Sequence, residues 1–431
     1  MKRKIAFLLS VILSVSLAGC ASRNTVLKDP IVSRTEQTSV YGTEMPSSTE
    51  GVVLSDGKLV EYTHQVLAAN TVAEMRGVWL AYVNYRDIIT GNTKAQFTAN
   101  MDKIFANIAG SGFNTVFAQV RPFGDALYDS AYFPWSRYLT GTEGKNPGYD
   151  PLEIMCQLAD QYGLRIEAWI NPYRVRTDAR PLSADNPARK WIEAGDSAAL
   201  KWGDGIYYNP GNEKARNLIV NGVKEIVENY EVDGIHFDDY FYPTTNMSFD
   251  AATYKASGSK LTQANWRREN VNILIRQVYA TVKEADPDCV FGISPQGNME
   301  NNYDGQFIDC AEWLSNEGYV DYIMPQIYYG FQNGKNPFAA TVQKWNDLIK
   351  NNHTKLYIGI GAYKLGAEDA WAGEQGKMEW INTSNLLARM VETARKAENY
   401  GGVALYNYDS LFLKPSAQIK KEVAGLEALF S

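Results

Sequence analysis

Two adjacent carboxylates close the run Asp233-Gly234-Ile235-His236-Phe237-Asp238-Asp239-Tyr240-Phe241-Tyr242-Pro243. The run starts as an apolar strand and ends in acids and aromatic rings. Like charges this close oppose joint ionisation, so the pair must be solvated, matched by a cation, or used. In use, one carboxyl keeps a proton while its neighbour keeps a charge. Cleavage of glycosidic bonds draws on that combination.

Strand alternation gives directions. Gly234, His236 and Asp238 share one side, and Ile235, Phe237 and Asp239 the other. Apolar Ile235 and Phe237 suit a helix-covered face, so His236 and Asp238 point toward the axis of a barrel. Asp239 stands where the chain turns, where alternation no longer fixes its direction.

The elements around this run repeat one theme from Arg76 onward. Apolar strands read at Gly77–Val83, Thr115–Val120, Arg165–Ile170, Gly234–Phe237, Val290–Ile293, Tyr322–Ile327, Leu356–Ile360 and Val403–Tyr406. Helical patterns lie between them. Asp150-Pro151 puts a capping acid before a first-turn proline and opens Pro151–Tyr162. Asn212 precedes Glu213–Tyr230, and Thr262–Ala285, Lys344–Asn351, Ser384–Asn399 and Pro415–Phe430 read similarly. Eight strand-then-helix units over about 350 residues predict an α/β fold, a (β/α)8 TIM barrel spanning 74–431. A doubly wound sheet would favour a glycine-rich phosphate loop after its first strand. Here that strand runs into Trp79-Leu80-Ala81-Tyr82-Val83-Asn84-Tyr85 instead.

Barrel chemistry gathers at the C-terminal strand ends. Those ends read Gln119-Val120-Arg121-Pro122, Asn171-Pro172-Tyr173-Arg174, Asp238-Asp239-Tyr240, Ser294-Pro295-Gln296-Gly297-Asn298, Pro325-Gln326-Ile327-Tyr328-Tyr329, Tyr363-Lys364 and Tyr406-Asn407-Tyr408-Asp409. Amides, phenols, arginines and acids at seven strand ends suit a ring covered in hydroxyl and amide groups. Gln119, Arg121, Asn171 and Gln326 are expected to position such a ring. Trp79, Tyr173, His236, Tyr240, Ser294, Tyr328, Tyr329 and Tyr406 complete the expected lining.

The segments Arg76-Gly77-Val78-Trp79-Leu80, Asn114–Arg121, Glu167–Arg174, Asp233–Pro243, Trp266-Arg267-Arg268-Glu269-Asn270-Val271 and Ser294-Pro295 occur here together. In that combination the chain resembles the bacterial family-ten-like glycosyl-hydrolase-like lipoproteins, from about Glu74 onward. The resemblance implies a barrel, an envelope location and glycosidase chemistry on peptidoglycan glycan strands. The acidic run also resembles the chitinase signature, but His236 replaces an acid and Tyr240 stands where the final glutamate belongs. A closer likeness is to enzymes with two adjacent acids after the fourth strand that cleave N-acetylhexosaminides. It implies that Asp238 steadies the substrate's own acetamido group as nucleophile, while Asp239 serves as general acid and then base. Tyr328 or Tyr329 would then hydrogen-bond the acetamido oxygen, and the two acids could exchange roles.

Other readings stay open. In one, Asp238 attacks the anomeric carbon itself and Glu300, Asp304 or Asp409 protonates the leaving group. In another, the acids form ion pairs with Arg121 or Arg174 and the barrel only binds glycan. A third has a different exported polysaccharide as substrate. Hard-cation binding by the acid pair lacks further clustered acids. Glu167, mid-strand, reads as a buried, paired structural acid.

Composition narrows the setting. Net charge is −7 with signs interspersed, so no basic stripe offers nucleic-acid binding. Histidines are three, His64, His236 and His353, too few for a histidine-built metal centre; no cofactor is expected. Tyr and Trp are abundant at 27 and 10, enough to supply stacking platforms for sugars beyond the core. Lys2-Arg3-Lys4 and an apolar run to Leu17 resemble a secretion signal (residues 1–19), and Leu17-Ala18-Gly19-Cys20 a lipoprotein box with Cys20 as the lipid site. Residues 20–50 read as a polar tether, and 51–73 as a short hairpin turning at Asp56-Gly57. The expected partners are thus a glycan polymer and, through the lipid, a membrane. Cys156, Cys289 and Cys310 read as small buried apolar residues, with one disulfide among them possible. Tyr242–Gln263 reads as an insertion forming a groove wall or a lid.

Overall fold

Short strands, each followed by a helix, pair in parallel until the last meets the first. The computed structural model describes residues 50–53, 59–62, 74–413 and 415–431. The leader, Cys20 and almost all of the tether lie outside the described residues. Of the short hairpin, Glu50–Val53 pairs antiparallel with Leu59–Tyr62; its Asp-Gly turn lies outside them too.

The barrel strands are β1 (Met75–Leu80), β2 (Thr115–Arg121), β3 (Arg165–Ile170), β4 (Gly234–Phe237), β5 (Val290–Ile293), β6 (Tyr322–Ile323), β7 (Lys355–Ile360) and β8 (Tyr400–Leu405). They close in sequence order, with β8 against β1. Their helices are α1 (Lys94–Gly110), α2 (Pro151–Tyr162), α3 (Glu213–Asn229), α4 (Gln263–Ala285), α5 (Cys310–Ser315), α6 (Phe338–Leu348), α7 (Leu386–Ala394) and α8 (Ala417–Phe430). The (β/α)8 barrel expected from the sequence is therefore the fold.

Local chemistry explains the boundaries. Asp150 caps α2 by accepting from the backbone N–H groups of Leu152 and Glu153, and Asn212 caps α3 through Lys214. β1 stops earlier than expected because the Tyr82 N–H donates to Gln119 Oε1 at 3.0 Å and the chain turns into a helix over Tyr82–Ile89. β6 is shorter than the expected 322–327. Pro325 has no N–H to continue the ladder, and pairing resumes only at Gln326, which bridges Gln296 and Gly359.

Two apolar cores result. One fills the barrel: Met75, Trp79, Phe117, Trp169, Tyr322 and Met324. The larger one lies between sheet and helices and holds Ile235 and Phe237 of β4, as alternation requires. Glycines admit the large interior rings. A Cβ on Gly292 would stand 2.1 Å from the Tyr322 ring, so that position must stay bare.

Three features depart from expectation or fall outside it. Arg174–Arg176, Ala199–Trp202 and Gly205–Tyr208 form a small antiparallel sheet beyond β3. Its hairpin turns at Gly203, whose φ of 56° favours glycine. The Tyr242–Gln263 insertion is neither bare loop nor loose flap. Asp250 forms a fully buried ion pair with Arg267 at 2.6 Å, and Arg267 also donates to the Thr244 and Asn246 carbonyls. Cys156, Cys289 and Cys310 are buried free thiols, so the possible disulfide does not form. No helix among the described residues is long and apolar enough to cross a membrane.

Candidate active site

Asp238 leaves β4 toward the barrel axis and is only 2% exposed. Its flanking strands decide what it meets. Register sets Trp169 of β3 beside His236, and Asn171 follows at the end of the same strand. Trp169 Nε1 donates to Asp238 Oδ2 at 3.1 Å, and Asn171 Nδ2 donates at 2.7 and 2.6 Å to the two oxygens. The Tyr240 N–H closes an Asx turn onto Oδ1 at 3.1 Å. All three partners are donors only. A chain of amides orients the key one: Tyr82 N–H donates to Gln119 Oε1, and Gln119 Nε2 donates to Asn171 Oδ1 at 2.5 Å. Asn171 therefore turns its NH2 to Asp238, and the Asp238 carboxylate is the acceptor form.

The Asx turn swings Asp239 toward the same mouth, where it is half-buried. Gln326 Nε2 donates to Asp239 Oδ1 at 3.1 Å while also donating to the Ser294 carbonyl at 2.9 Å. Burial pushes the Asp238 carboxyl up to about 7, the Asp239 charge adds to that, and Arg174 with the donors opposes it. Burial raises Asp239 as well, against the Gln326 and Gln296 amides. The two titrate as a pair that holds one proton near neutrality. The fixed donors on both oxygens of Asp238 favour the charge there, and the half-open Asp239 is then the partner that takes the proton.

Around the pair stand Tyr328, Tyr363, Tyr406 and Tyr240. Tyr328 lies 5.8 Å from Tyr406 and 5.7 Å from Tyr363, centroid to centroid. Its phenol is held protonated by burial and by neighbouring charge that includes both aspartates. Tyr240 is 41% exposed and stacks on the Arg174 guanidinium at 4.2 Å. Gln119, Asn171, Gln326, Tyr328, Tyr240 and Tyr406 thus gather near the pair.

Other expected lining residues do not. A bulge between Gln119 and Arg121 pairs Arg121 with Ile170, whose side chain faces the helices. Arg121 turns with it, out of the cleft. It is wholly buried over the Phe133 ring at 4.2 Å, and its three guanidinium nitrogens have no hydrogen-bond partner. Tyr173 is fully buried in the same outer core, two residues past Asn171, where the chain has already left the axis. Tyr329 packs toward that core as well, and its neighbouring charge is Asp369 rather than the acid pair.

Trp79, His236 and Ser294 do face inward, but below the cleft floor and sealed from it, none more than 1% exposed. Trp79 Nε1 donates to His236 Nε2 at 3.3 Å, with Ser294 Oγ 2.9 Å from the same nitrogen. An indole N–H only donates, so His236 Nε2 carries no proton and Nδ1 does. Nδ1 lies 2.8 Å from Tyr322 Oη, which donates onward to Glu167 Oε2 at 2.5 Å. Burial keeps the imidazole neutral, at about 3, and lifts the Glu167 carboxyl to about 8. Glu167 is the buried structural acid expected, with a tyrosine rather than a cation as its partner.

Neither arginine offered as an ion-pair partner pairs with the aspartates. Arg121 points elsewhere, and Arg174 donates to the Pro122 carbonyl at 3.0 Å. Glu300 and Asp304 sit exposed on the loop after β5, Asp304 against Arg268 at 3.4 Å. Among the described residues no group of three or more His, Cys, Asp or Glu could hold a metal ion. Sequence reasoning missed Trp169 as a partner of Asp238. The alternation that turns Asn171 inward turns Trp169 inward too, so the signal was present.

Comparison with known proteins agrees with this geometry. The chain is 38% identical over 325 residues to "Glycosyl hydrolase YngK" of Bacillus subtilis, covering 69% of this chain and 62% of that one. It therefore spans less than two thirds of that relative's length. To "Glycosyl hydrolase DigH" of Escherichia coli it is 35% identical over 383 residues, covering 80% of this chain and 85% of that one. The solved glycoside hydrolase domain of PgaB (BpsB) from Bordetella bronchiseptica shares the fold, with a TM-score of 0.53 at 14% identity over 83% of this chain and 99% of that domain. The model of the family described as glycosyl hydrolase-like 10 matches residues 74–373, and the chain belongs to that family.

Proposed function

We propose that the protein is a glycoside hydrolase of the cell envelope that cuts a polymer containing N-acetylhexosamine, peptidoglycan glycan strands above all. One observation carries this reading: two neighbouring aspartates at a barrel mouth, one buried among fixed donors and the other half-open. Asp238 is buried and meets the Trp169, Asn171 and Tyr240 donors, while Asp239 is half-open and meets the Gln326 and Gln296 amides. That division assigns the charge to one and the proton to the other.

In the reaction, the substrate's acetamido oxygen attacks the anomeric carbon as the glycosidic C–O bond breaks. Asp239 gives its proton to the departing oxygen. Asp238 accepts the acetamido N–H as positive charge grows there, and Tyr328 donates to the acetamido oxygen to align it. A water then adds to the anomeric carbon of the oxazolinium, and Asp239 takes the proton back. Configuration is retained, as substrate assistance requires.

The N-terminal lipoprotein box supports an envelope setting, with Cys20 lipidated and the barrel tethered to a membrane. The relatives named glycosyl hydrolases support the reaction class.

The test uses protein lacking its first 20 or so residues, incubated with peptide-stripped glycan strands. Wild type releases reducing ends, Asp239→Asn binds the strands without cutting them, and a thiazoline mimic of the oxazoline inhibits. Wild type as inert as the variant across several glycan classes would leave only a glycan-binding barrel. Cleavage of a polymer without acetamido groups, insensitive to the thiazoline, would favour a protein nucleophile.

A further inference from the structure

The mouth also holds a cation that the hydrolytic scheme does not use. Arg174, just past β3, is half-buried, and its guanidinium lies over Phe123 at 4.7 Å and Tyr240 at 4.2 Å. Its Nε donates to the Pro122 carbonyl. Several other well-covered arginines are satisfied by acids. Arg137 pairs with Asp178 at 3.2 Å, Arg267 with Asp250 at 2.6 Å, and Arg268 with Asp304 at 3.4 Å. Among the described residues Arg174 has no carboxylate partner, although its charge acts on Asp238 and Asp239. Removing a guanidinium from water without an anion is costly, and ring faces compensate only in part. Ring stacking does fix the plane of the group, however. A fixed plane suits a planar anion, because a guanidinium forks onto a carboxylate with two parallel N–H bonds. The Tyr240 ring that stacks on it is among the more exposed aromatic rings of the molecule, so this group lies at the accessible rim rather than in the sealed interior.

We propose that Arg174 selects the substrate by binding a carboxylate carried on a sugar next to the scissile bond. In a peptide-stripped peptidoglycan strand that group is the lactyl carboxylate of N-acetylmuramic acid. The inference rests on the glycosidase reading of the acid pair and adds to it a preference for acidic over neutral hexosamine chains. Arg174 is a specificity residue here, distinct from the proton-handling pair.

The experiment compares two forms of one substrate: strands of N-acetylglucosamine and muramic acid with free carboxylates, and the same strands converted to methylamides. Wild type is expected to show kcat/KM about tenfold or more higher on the free acid, chiefly through KM. Arg174→Gln loses about tenfold more on the acidic strands than on the amides, where the fall is only that of removing its charge from beside Asp238. Arg174→Lys, which keeps the charge but not the fork, recovers part of the preference, and melting temperatures confirm folding of both variants. An equal fall on both substrates would overturn the inference, leaving Arg174 as electrostatic support for Asp238. So would a wild type indifferent to amidation. In either case the glycosidase reading would stand. Wild type that cuts neither substrate would overturn that reading, and this inference with it.

Discussion

His236 and Asp238 lie two residues apart on one strand and face the same axis, yet they belong to different regions of the molecule. Around His236 the barrel is filled: Trp79 donates to it, it donates to Tyr322, and Tyr322 donates to Glu167. Each proton has an acceptor and nothing is left for a ligand. Around Asp238 the same kind of directed network, Tyr82 to Gln119 to Asn171, runs outward and ends on a charge. The lower layer satisfies itself, while the upper one converges on an acid beside a second, half-open acid. The deeper group is enclosed by its own partners, and the shallower one stands at the mouth beside the half-open Asp239.

That contrast is breakable. Asp238→Asn removes the converged charge and is expected to cost about a thousandfold or more in kcat, because the loss falls on charge stabilisation in the transition state, while the new NH2 faces donors and lowers the melting temperature only modestly. Steady-state kinetics with calorimetry on the same sample checks both halves. His236→Leu should do the reverse. It strands the Trp79 and Ser294 donors and the Tyr322 hydroxyl, which costs about 3 kcal/mol of stability, seen as a lower denaturant midpoint. The kcat of the folded fraction should be nearly kept. Trp169→Phe removes one of three donors to Asp238, so a loss of about tenfold in kcat/KM is expected. The acidic limb of the pH profile should also move upward, since Asp238 must be ionised to act and a carboxylate that loses a donor holds its proton longer.

The smallest effect is confined to pH. Glu167 stays protonated in the fold up to about 8, whereas the unfolded chain ionises it near the ordinary carboxylate value. Its stabilising share is therefore complete at low pH and lost as pH rises through about 8. Glu167→Gln should melt at the same temperature as wild type near pH 4 and above it near pH 8. Identical melting curves at both values would mean that Glu167 is ionised in the fold.

Much of this was legible in the chain. Period-two patterning over Gly234–Phe237 gave both the strand and the inward direction of Asp238, and Asp150-Pro151 gave the start of α2. The misplacements share one cause: pattern reports which side a residue faces, not how deep it sits or where the ladder slips. Arg121 follows Gln119 at the right interval for the cleft, but a bulge hidden in Gln119-Val120-Arg121 turns it to the helices. Trp79, His236 and Ser294 face the axis as expected and lie one layer too low. Arg174 is separated from Asn171 only by Pro172 and Tyr173, and no local signal shows that it returns to the mouth while Tyr173 does not.

The division of labour between the aspartates is tested most directly by changing the leaving group. A dinitrophenyl glycoside of an N-acetylhexosamine disaccharide departs without needing a proton, whereas the natural strand does not. The account predicts that Asp239→Asn loses about a thousandfold on the strand but about tenfold or less on the aryl glycoside, while Asp238→Asn fails on both. Asp239→Asn failing equally on the two substrates, with Asp238→Asn rescued by the better leaving group, would reverse the assignment.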